Sequence, residues 1–266
     1  MPPPTSPHSQ LDPGIRLLLC HRMKLDRWSH ENLSAPYWRL YRNANSGAWA
    51  TVGGKRVALD PGAVFIIPPD TPFASGLERP VRHLFIHFSF PSIHETSPTI
   101  YRFPVRKEWR SLILRLEKSS GYGPGATAGN PFGAGLDAVA LVCLALRHVP
   151  ADRFRARFGE PRIDRVIDWM SERLSGPCPA IERGRVAGLH PVALARLFRE
   201  VAGRSPSAYL RLMRIREACL LLHHTELSVE DIAERTGFCD RFHFSRVFRQ
   251  ERGLGPAMFR RQRAGI

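Results

Sequence analysis

The chain of 266 residues is long enough for one large domain or two ordinary ones. Hydrophobic residues make up 43% of it, which excludes a chain that is disordered as a whole, and no apolar run reaches the roughly 20 residues that cross a bilayer. The formal charge of +15 favours a polyanionic partner such as nucleic acid. The five cysteines form no C-x-x-C pair and no signal peptide precedes them, so we expect a cytoplasmic protein.

The first part of the chain has the pattern of a small antiparallel β-structure. Residues 1–14, rich in proline, are expected to form a flexible tail. From position 37 to 90, short apolar segments alternate with turns at Gly, Pro, Asn or Asp. The predicted strands are YWRLYR, GAWATV, KRVALD, AVFIIP and RHLFIHFSF. Short strands at nearly regular spacing predict a small barrel or sandwich.

After Pro104 the pattern becomes helical. The stretches VRKEWRSLILRLEKSS and LDAVALVCLALRHV have apolar residues at helical spacing. Between them lies a glycine-rich segment, 119–135, which is either a hinge or an ordered loop, and its glycine content favours mobility. We place a first domain at 15–150 and a charged linker at 151–161. The second domain, 162–266, is predicted to contain helices only, so the fold class is α+β.

The second domain contains an internal repeat. LARLFREVAGRSPSAYLR, from position 194, realigns with FSRVFRQERGLGPAMFRR, from position 244, so that arginine, glycine, proline and aromatic residues recur in register. Each copy is predicted to form a helix, a tight turn and a second helix. In the second copy Ser228 and Asp231 have the spacing of a capping box, and Gly237 ends the first helix.

The exposed face of the second helix suggests contact with DNA. A helix-turn-helix lays such a face into the major groove, where arginine can pair with guanine N7 and O6. The alternative is a solvated basic face on an ordinary helical hairpin. Repetition of the whole unit in register argues against that alternative.

The segment from about 160 to 263 resembles the paired helix-turn-helix domain of the AraC/XylS family of bacterial transcription regulators. The stretches that carry the resemblance are LARLFREVAGRSPSAYL, RLMRIREACLLL, LSVEDIAERTGF, FSRVFR and GLGPAMFRR. It implies that one long helix, from Pro206 to about His223, holds both recognition helices against major-groove segments roughly 34 Å apart. The base-facing candidates carried over by position are Val192, Ala195 and Arg196 in the first unit and Arg241, Phe242, Ser245 and Arg246 in the second.

The first unit departs from the family pattern in its opening helix, AIERGRVAGLHP. This segment contains Arg183 and Gly184 and is about one residue short. Glycine inside a helix costs roughly 1 kcal/mol relative to alanine. We therefore expect the first unit to be the looser reader of DNA and the second unit to anchor binding.

The strand-rich half resembles the cupin-like effector domain of many members of this family, most clearly in GAWATVGGKRVALDPGAVFIIPPDTPFA. The resemblance implies a β-barrel that binds a small-molecule effector, frequently a carbohydrate, followed by helices within 105–149 that form a homodimer. Sugar rings stack on aromatic side chains, although each aromatic could instead fill the core. The candidate effector-binding residues are Trp38, Arg39, Tyr41, Trp49, His83 and His87.

His83 and His87 also lie on one face of a predicted strand, as metal ligands would. Cupin enzymes use a closer His-x-His pair with a glutamate soon after it, and this chain has His-x-x-x-His with Glu95 beyond the strand. We interpret both histidines as core or pocket residues and expect no metal and no cofactor.

These features predict a ligand-responsive, sequence-specific DNA-binding regulator of transcription. The family pattern favours an activator, with RNA polymerase as a further partner, and neither enzymatic activity nor membrane binding is expected. One alternative is a metal-dependent cupin enzyme with a helical appendage, against which the missing metal motif and the repeat both count. The other is an architectural DNA binder whose affinity is indifferent to small molecules.

Overall fold

The structure is a computed structural model. It describes residues 14–89, the backbone of 93–94, and residues 98–119, 121–123, 130–155 and 158–262. The predicted flexible tail therefore lies outside the described residues except for Gly14, and the glycine-rich segment lies partly outside them, at 120 and 124–129.

The first domain is a sandwich of antiparallel strands. A five-stranded sheet has the order β1-β8-β3-β6-β10, and a four-stranded sheet has the order β2-β7-β4-β5. A short pair, β11-β9, completes the strands. Their bounds are β1 Arg16–Leu25, β2 His30–Leu33, β3 Trp38–Asn43, β4 Ala48–Val52, β5 Lys55–Ala58, β6 Ala63–Ile67, β7 Phe73–Leu77, β8 Val81–Ser89, β9 Ile93–His94, β10 Tyr101–Pro104 and β11 Phe154–Arg155.

Strand β3 shows how the two faces of the larger sheet are used. Because side chains alternate along a strand, Tyr41 joins a core between the two sheets, together with Phe65 and Phe85. Trp38 and Leu40 point to the opposite face and join a second core. The central sheet is therefore buried on both sides, which explains the nearly continuous burial of β3, β6 and β8.

Two helices cover the outer face of that sheet. They are α1, Lys107–Lys118, and α2, Pro131–Leu146. Trp109, Ile113 and Leu141 are fully or almost fully buried against the sheet. Helix α2 begins five residues earlier than the apolar pattern predicts, because Asn130 caps it by accepting a hydrogen bond from the Gly133 amide.

The predicted linker, 151–161, is partly integrated into the first domain. Residues 151–153 form a 3-10 turn, and β11 then pairs with β9 of the sandwich. The ring of Phe154 lies 5.9 Å from that of Trp38. The chain leaves the first domain after this pairing, rather than at residue 150.

The second domain consists of helices in the part of the chain that the structure describes, and it has two small cores. One long helix takes part in both, because its first half packs in the core of the first unit and its second half in that of the second. The helices are α3 Pro161–Ser171, α4 Ala180–Ala187, α5 Pro191–Ala202, α6 Pro206–His224, α7 Val229–Arg235, α8 Arg241–Arg252 and α9 Pro256–Arg261.

The second unit packs against the sandwich. Ala35 and Tyr37, from the loop before β3, lie in the same buried cluster as Phe244 and Phe259. Asp70 accepts hydrogen bonds from Arg216 of α6 and Arg252 of α8. The core of the first unit, by contrast, contains residues from position 158 onward. No helix among the described residues is long and apolar enough to span a membrane.

Candidate DNA-binding surface and effector site

The second unit presents its recognition helix, α8, on a well-defined turn. Helix α7 begins with a capping box, in which Ser228 and Asp231 bond each other's backbone amides. Gly237, with φ of 75°, ends the turn after α7 in the left-handed conformation. At the start of α8, Asp240 accepts hydrogen bonds from the amides of Phe242 and His243, at 2.8 and 2.7 Å.

The first unit reproduces this arrangement in α4 and α5 with weaker support. Pro179 precedes α4 and supplies no side-chain cap, and Gly188 ends the helix with φ of 66°. At the start of α5, His190 accepts one hydrogen bond, from the Val192 amide at 3.4 Å. The first unit therefore retains the geometry but lacks the charged cap.

The sequence prediction that the first unit is about one residue short is explained by its turn. The Leu189 amide bonds the Gly184 carbonyl in the first unit, as the Phe238 amide bonds the Ala233 carbonyl in the second, both at 2.9 Å. His190, which caps α5, follows Leu189 directly. In the second unit Cys239 stands between Phe238 and Asp240, which caps α8, so the first turn is one residue shorter.

The shorter turn also explains Gly184. A Cβ atom at this position would lie 2.6 Å from the Leu189 carbonyl oxygen, which is closer than side chains approach. The expectation that glycine here only weakens the helix is therefore incomplete, since the turn leaves no room for alanine. Arg183, the other unusual residue, is buried where the second unit has Ile232, and it donates one hydrogen bond to Ser207.

The two recognition helices have matching burial patterns. Leu194 and Phe198 are buried in α5, as Phe244 and Phe248 are in α8. Consequently the base-facing candidates share one outer face in each helix. The exposed members are Val192 and Arg196 in α5 and Arg241, Phe242 and Arg246 in α8, and the partly exposed members are Ala195 and Ser245.

The chemistry of the two faces differs. Val192 is 72% exposed, which is unusual for an apolar side chain and suits contact with a thymine methyl group. Phe242 is 73% exposed and lies under the Arg241 guanidinium, at 4.9 Å from the ring centroid. Two of the base-facing candidates on α8 are arginines, Arg241 and Arg246, against Arg196 alone on α5, which gives the second unit the greater capacity to bind phosphate and guanine.

Arg214 of α6 connects the two units, and the sequence patterns did not single it out. Its guanidinium donates to the carbonyl of Gly237, in the turn of the second unit, and to that of Gly176, in the loop after α3, both at 2.7 Å. Charge-assisted bonds to two carbonyls fix the turn relative to the first unit. The arginine is part of RLMRIREACLLL, where helical periodicity alone gives no sign of this role.

Four of the six effector candidates lie together in the sandwich. Arg39 and Tyr41 of β3 project to the same side as His83 and His87 of β8, since Arg39 pairs with His87 and Tyr41 with Phe85. The rings of Tyr41 and His83 are 4.8 Å apart. The alternation of β3 and β8 thus collects these polar groups in the interior.

Trp38 and Trp49 do not share that interior, which corrects the expected six-residue pocket. Trp38 projects to the opposite face of β3 and stacks on Phe88 in the core against α1 and α2. Trp49 projects outward from β4, covers Gly76, and carries the Arg56 guanidinium 4.2 Å from its ring. The alternation of side chains along β3, which brings Arg39 and Tyr41 inward, turns Trp38 to the opposite face. The same alternation along β4 turns Trp49 outward.

The interior histidines are held in the neutral form. Burial lowers the pKa of His83 to about 3, and burial together with neighbouring positive charge lowers the pKa of His87 well below its usual value. His83 Nδ1 is 2.7 Å from the Asn43 side-chain oxygen. Among the described residues no group of three or more His, Cys, Asp or Glu side chains is placed to hold a metal ion.

Tyr37 connects the sandwich interior to α6, because its hydroxyl is 2.7 Å from His223 Nδ1 and its ring is 4.8 Å from that of His87.

The helices α1 and α2 have apolar side chains on their outer side: Leu114, Phe132 and Leu136 are exposed. These exposed apolar side chains lie on the helices predicted to form the dimer.

Known proteins are similar to parts of this chain in sequence. Residues 184–262 match the family described as a helix-turn-helix domain. The HTH-type transcriptional activator RhaS of Escherichia coli O6:H1 is 27% identical over 167 residues, which are 62% of this chain and 57% of that protein. RhaS of Escherichia coli O1:K1 is 34% identical over 108 residues, 40% of this chain and 38% of that protein. The chain thus spans about half the length of these relatives or less.

The comparison with solved structures extends to both domains. ToxT from Vibrio cholerae O395 matches with a TM-score of 0.52 at 11% identity, and the match covers 95% of this chain and 99% of that chain. At this identity the likeness concerns the fold, a β-rich domain followed by a helical domain with two helix-turn-helix units.

Proposed function

We propose that the chain is a regulator of the AraC/XylS type, with an N-terminal β-rich domain, and that it is a ligand-responsive, sequence-specific DNA-binding protein. The observation that carries the proposal is the pair of recognition helices with one burial pattern and an exposed arginine, Arg196 or Arg246, at the same position of each. One long helix, α6, holds both, so the two faces act as one reading surface.

DNA binding is tested by selection of genomic fragments with the purified full-length protein, followed by footprinting of the enriched sequence. We expect two protected major-groove segments about one helical turn apart. Binding that falls steeply with salt but shows no enriched sequence would instead favour the architectural alternative.

We propose activation as the outcome, with RNA polymerase as a partner in the cytoplasm. The relatives RhaS are named as activators. In vitro transcription from the selected promoter, with and without the protein, distinguishes activation from repression.

The sandwich is proposed to bind a small effector, for which the family resemblance suggests a carbohydrate or related molecule. Arg39, Tyr41, His83 and His87 are the candidates that the fold brings together. We propose no catalytic role for them. Near-stoichiometric zinc, iron or manganese in the purified protein would contradict this and favour the cupin enzyme.

Dimer formation is proposed through α1 and α2, where the apolar side chains of Leu114, Phe132 and Leu136 are exposed. Sedimentation of wild-type protein and of Leu114→Glu tests it. We expect a dimer that the charged substitution dissociates, while Glu108→Lys, which is exposed on a different side of the same helix, leaves it intact.

A further inference from the structure

Arg39 is a charged side chain enclosed within the first domain. It lies in the middle of the central sheet, where it pairs with His87 on one neighbouring strand and Ile67 on the other, and it is 0% exposed. Its three guanidinium nitrogens make no hydrogen bond of good geometry, although the uncharged Tyr37 hydroxyl is close to them, and among the described residues Arg39 forms no ion pair with a carboxylate.

The surroundings of Arg39 do not neutralise it. Its guanidinium lies over the rings of Tyr37 and Phe73, at 4.7 and 5.3 Å from their centroids. The nearby His87 is uncharged, because burial and adjacent positive charge depress its pKa. Arginine keeps its charge in proteins, and a buried charge without a partner strongly disfavours the folded state. The interior therefore has one positive charge in excess.

Other polar atoms without partners face the same interior. They are the Tyr41 hydroxyl, Nε2 of His83 and both ring nitrogens of His87. The indole nitrogen of Trp28, whose ring is 5.4 Å from that of His83, is a further donor without a partner. Buried polar atoms in native proteins are normally hydrogen-bonded. Such a row of unused donors and acceptors next to an unpaired charge is the pattern of a polar ligand site.

We propose that the first domain binds a small organic oxyanion, a carboxylate- or phosphate-bearing molecule with hydroxyl groups, whose charged group pairs with Arg39. The planar guanidinium fork matches either group through two parallel hydrogen bonds. Tyr41, His83 and His87 then bind the hydroxyl groups. A sugar acid or a sugar phosphate has this chemistry, and a neutral sugar lacks it. The inference rests on the proposed effector function and specifies its ligand class.

The site adjoins the helix that carries both recognition units. The ring of His87 is 5.3 Å from that of His224, at the end of α6, and Tyr37 bonds His223 one residue earlier. A ligand held by Arg39 and His87 thus lies one ring away from α6. Its differential affinity for two positions of this helix would couple occupancy to DNA binding.

The first test needs no ligand. Replacement of an unpaired buried charge by an apolar side chain of similar volume is neutral or stabilising, whereas loss of a structural partner is destabilising. We expect full-length Arg39→Met to unfold at the same temperature as wild type or higher. Arg82→Met, an exposed arginine on β8, is the matched control and should change little. A lower melting temperature for Arg39→Met would make Arg39 a structural residue and overturn the proposal.

The second test uses matched ligands in thermal unfolding of the full-length protein. D-Glucuronate, D-galacturonate and D-glucose 6-phosphate are compared with D-glucose and D-galactose, and with inorganic phosphate and sulfate. We expect an organic anion to raise the melting temperature of wild type where its neutral counterpart does not. The shift should vanish in Arg39→Met, and Arg39→Lys should bind at least about tenfold more weakly. The acid and the phosphate ester distinguish the two oxyanions.

Three results would contradict the inference: no response to any organic anion, an equal response to the neutral sugars, or a response that survives in Arg39→Met. A response to inorganic anions alone would likewise exclude an organic ligand. Binding to the selected DNA is measured in parallel. DNA binding that persists without an anion effect overturns this inference only, whereas absence of sequence-specific DNA binding by the wild type overturns the proposed function itself.

Discussion

The two helix-turn-helix units are copies of one structural unit, but the first is stabilised by weaker helix caps than the second. The second has a capping box before α7, a carboxylate cap on α8, and contacts with the sandwich through Asp70 and Tyr37. The first has Pro179 before α4 and buries Arg183 in place of Ile232. The recognition helices nevertheless have matching burial patterns, so corresponding positions are exposed in both units although the interactions that stabilise the units differ.

This difference suggests a division of roles. A recognition helix on a rigid turn loses little conformational freedom on binding, and it therefore retains more of the contact energy. The second unit meets this condition and has the more basic face. The first unit, with its exposed Val192, is suited to adapt to the neighbouring groove after the second has bound.

The largest expected effect comes from separating the two units. Arg214→Met removes charge-assisted bonds to the carbonyls of Gly176 and Gly237, and we expect a loss of about 3 kcal/mol in the free energy of unfolding. Urea denaturation of the full chain measures it. Arg211→Met, exposed on the same helix, is the control. Equal midpoints for the two variants would mean that Arg214 does not couple the units.

The shorter turn gives the second prediction. Gly184→Ala places a methyl group against the Leu189 carbonyl and should destabilise the protein by about 1–3 kcal/mol, as overpacking does. The reverse change in the second unit, Ala233→Gly, should cost about 0.5–1 kcal/mol, the ordinary price of glycine in a helix. Thermal unfolding compares the two. If Gly184→Ala stabilised the protein, the turns of the two units would have to be alike.

Capping provides a smaller and reciprocal test. Ser228→Ala breaks the capping box of α7 and should cost about 1 kcal/mol. Glu182 stands three residues after Pro179, as Asp231 does after Ser228, so Pro179→Ser gives α4 the same motif. We expect this variant to gain less than about 1 kcal/mol. Hydrogen exchange of the amides in α4 should then slow, and unchanged exchange would show that the cap is not what weakens the first unit.

The smallest effect concerns the contact of the second unit with the sandwich. Burial alone would raise the pKa of Asp70, but Arg216 and Arg252 outweigh it and lower the pKa from 3.8. The ion pairs therefore stabilise above the ordinary Asp pKa, and this contribution is lost as pH falls through the lowered value. Asp70→Asn should cost below about 1 kcal/mol at pH 7. The difference in melting temperature between wild type and variant should shrink below pH 4, and a constant difference would contradict the pKa shift.

The sequence predicted the helical domain closely and the sandwich in part. The family resemblance located the long helix α6 to within one residue at each end. Strand β1 was missed because RLLLCHRMKL has no regular alternation of apolar and polar residues. It is an edge strand of the sheet, and most of its side chains are only partly buried or exposed. Strands β2 and β7 are short, and β7 pairs with both β2 and β4, which local pattern does not encode.

The positions of the DNA-binding candidates were predictable from the sequence, because the repeat indicates which side of α5 and α8 faces outward. The effector pocket was predicted less well. Trp38 and Trp49 are of the residue type that stacks on sugars, but their positions along β3 and β4 direct their side chains away from the interior. Tyr37, Asp70 and Arg214 were not found, because their roles depend on contacts between elements far apart in the chain.

The central claim is that the second unit anchors DNA binding, and fluorescence anisotropy with the selected duplex tests it most directly. Affinities of wild type, Arg196→Ala and Arg246→Ala are measured over a range of salt concentrations. We predict that Arg246→Ala costs about 1–3 kcal/mol in specific affinity and Arg196→Ala less. A greater loss for Arg196→Ala would show that the first unit, despite its weaker support, is the anchor.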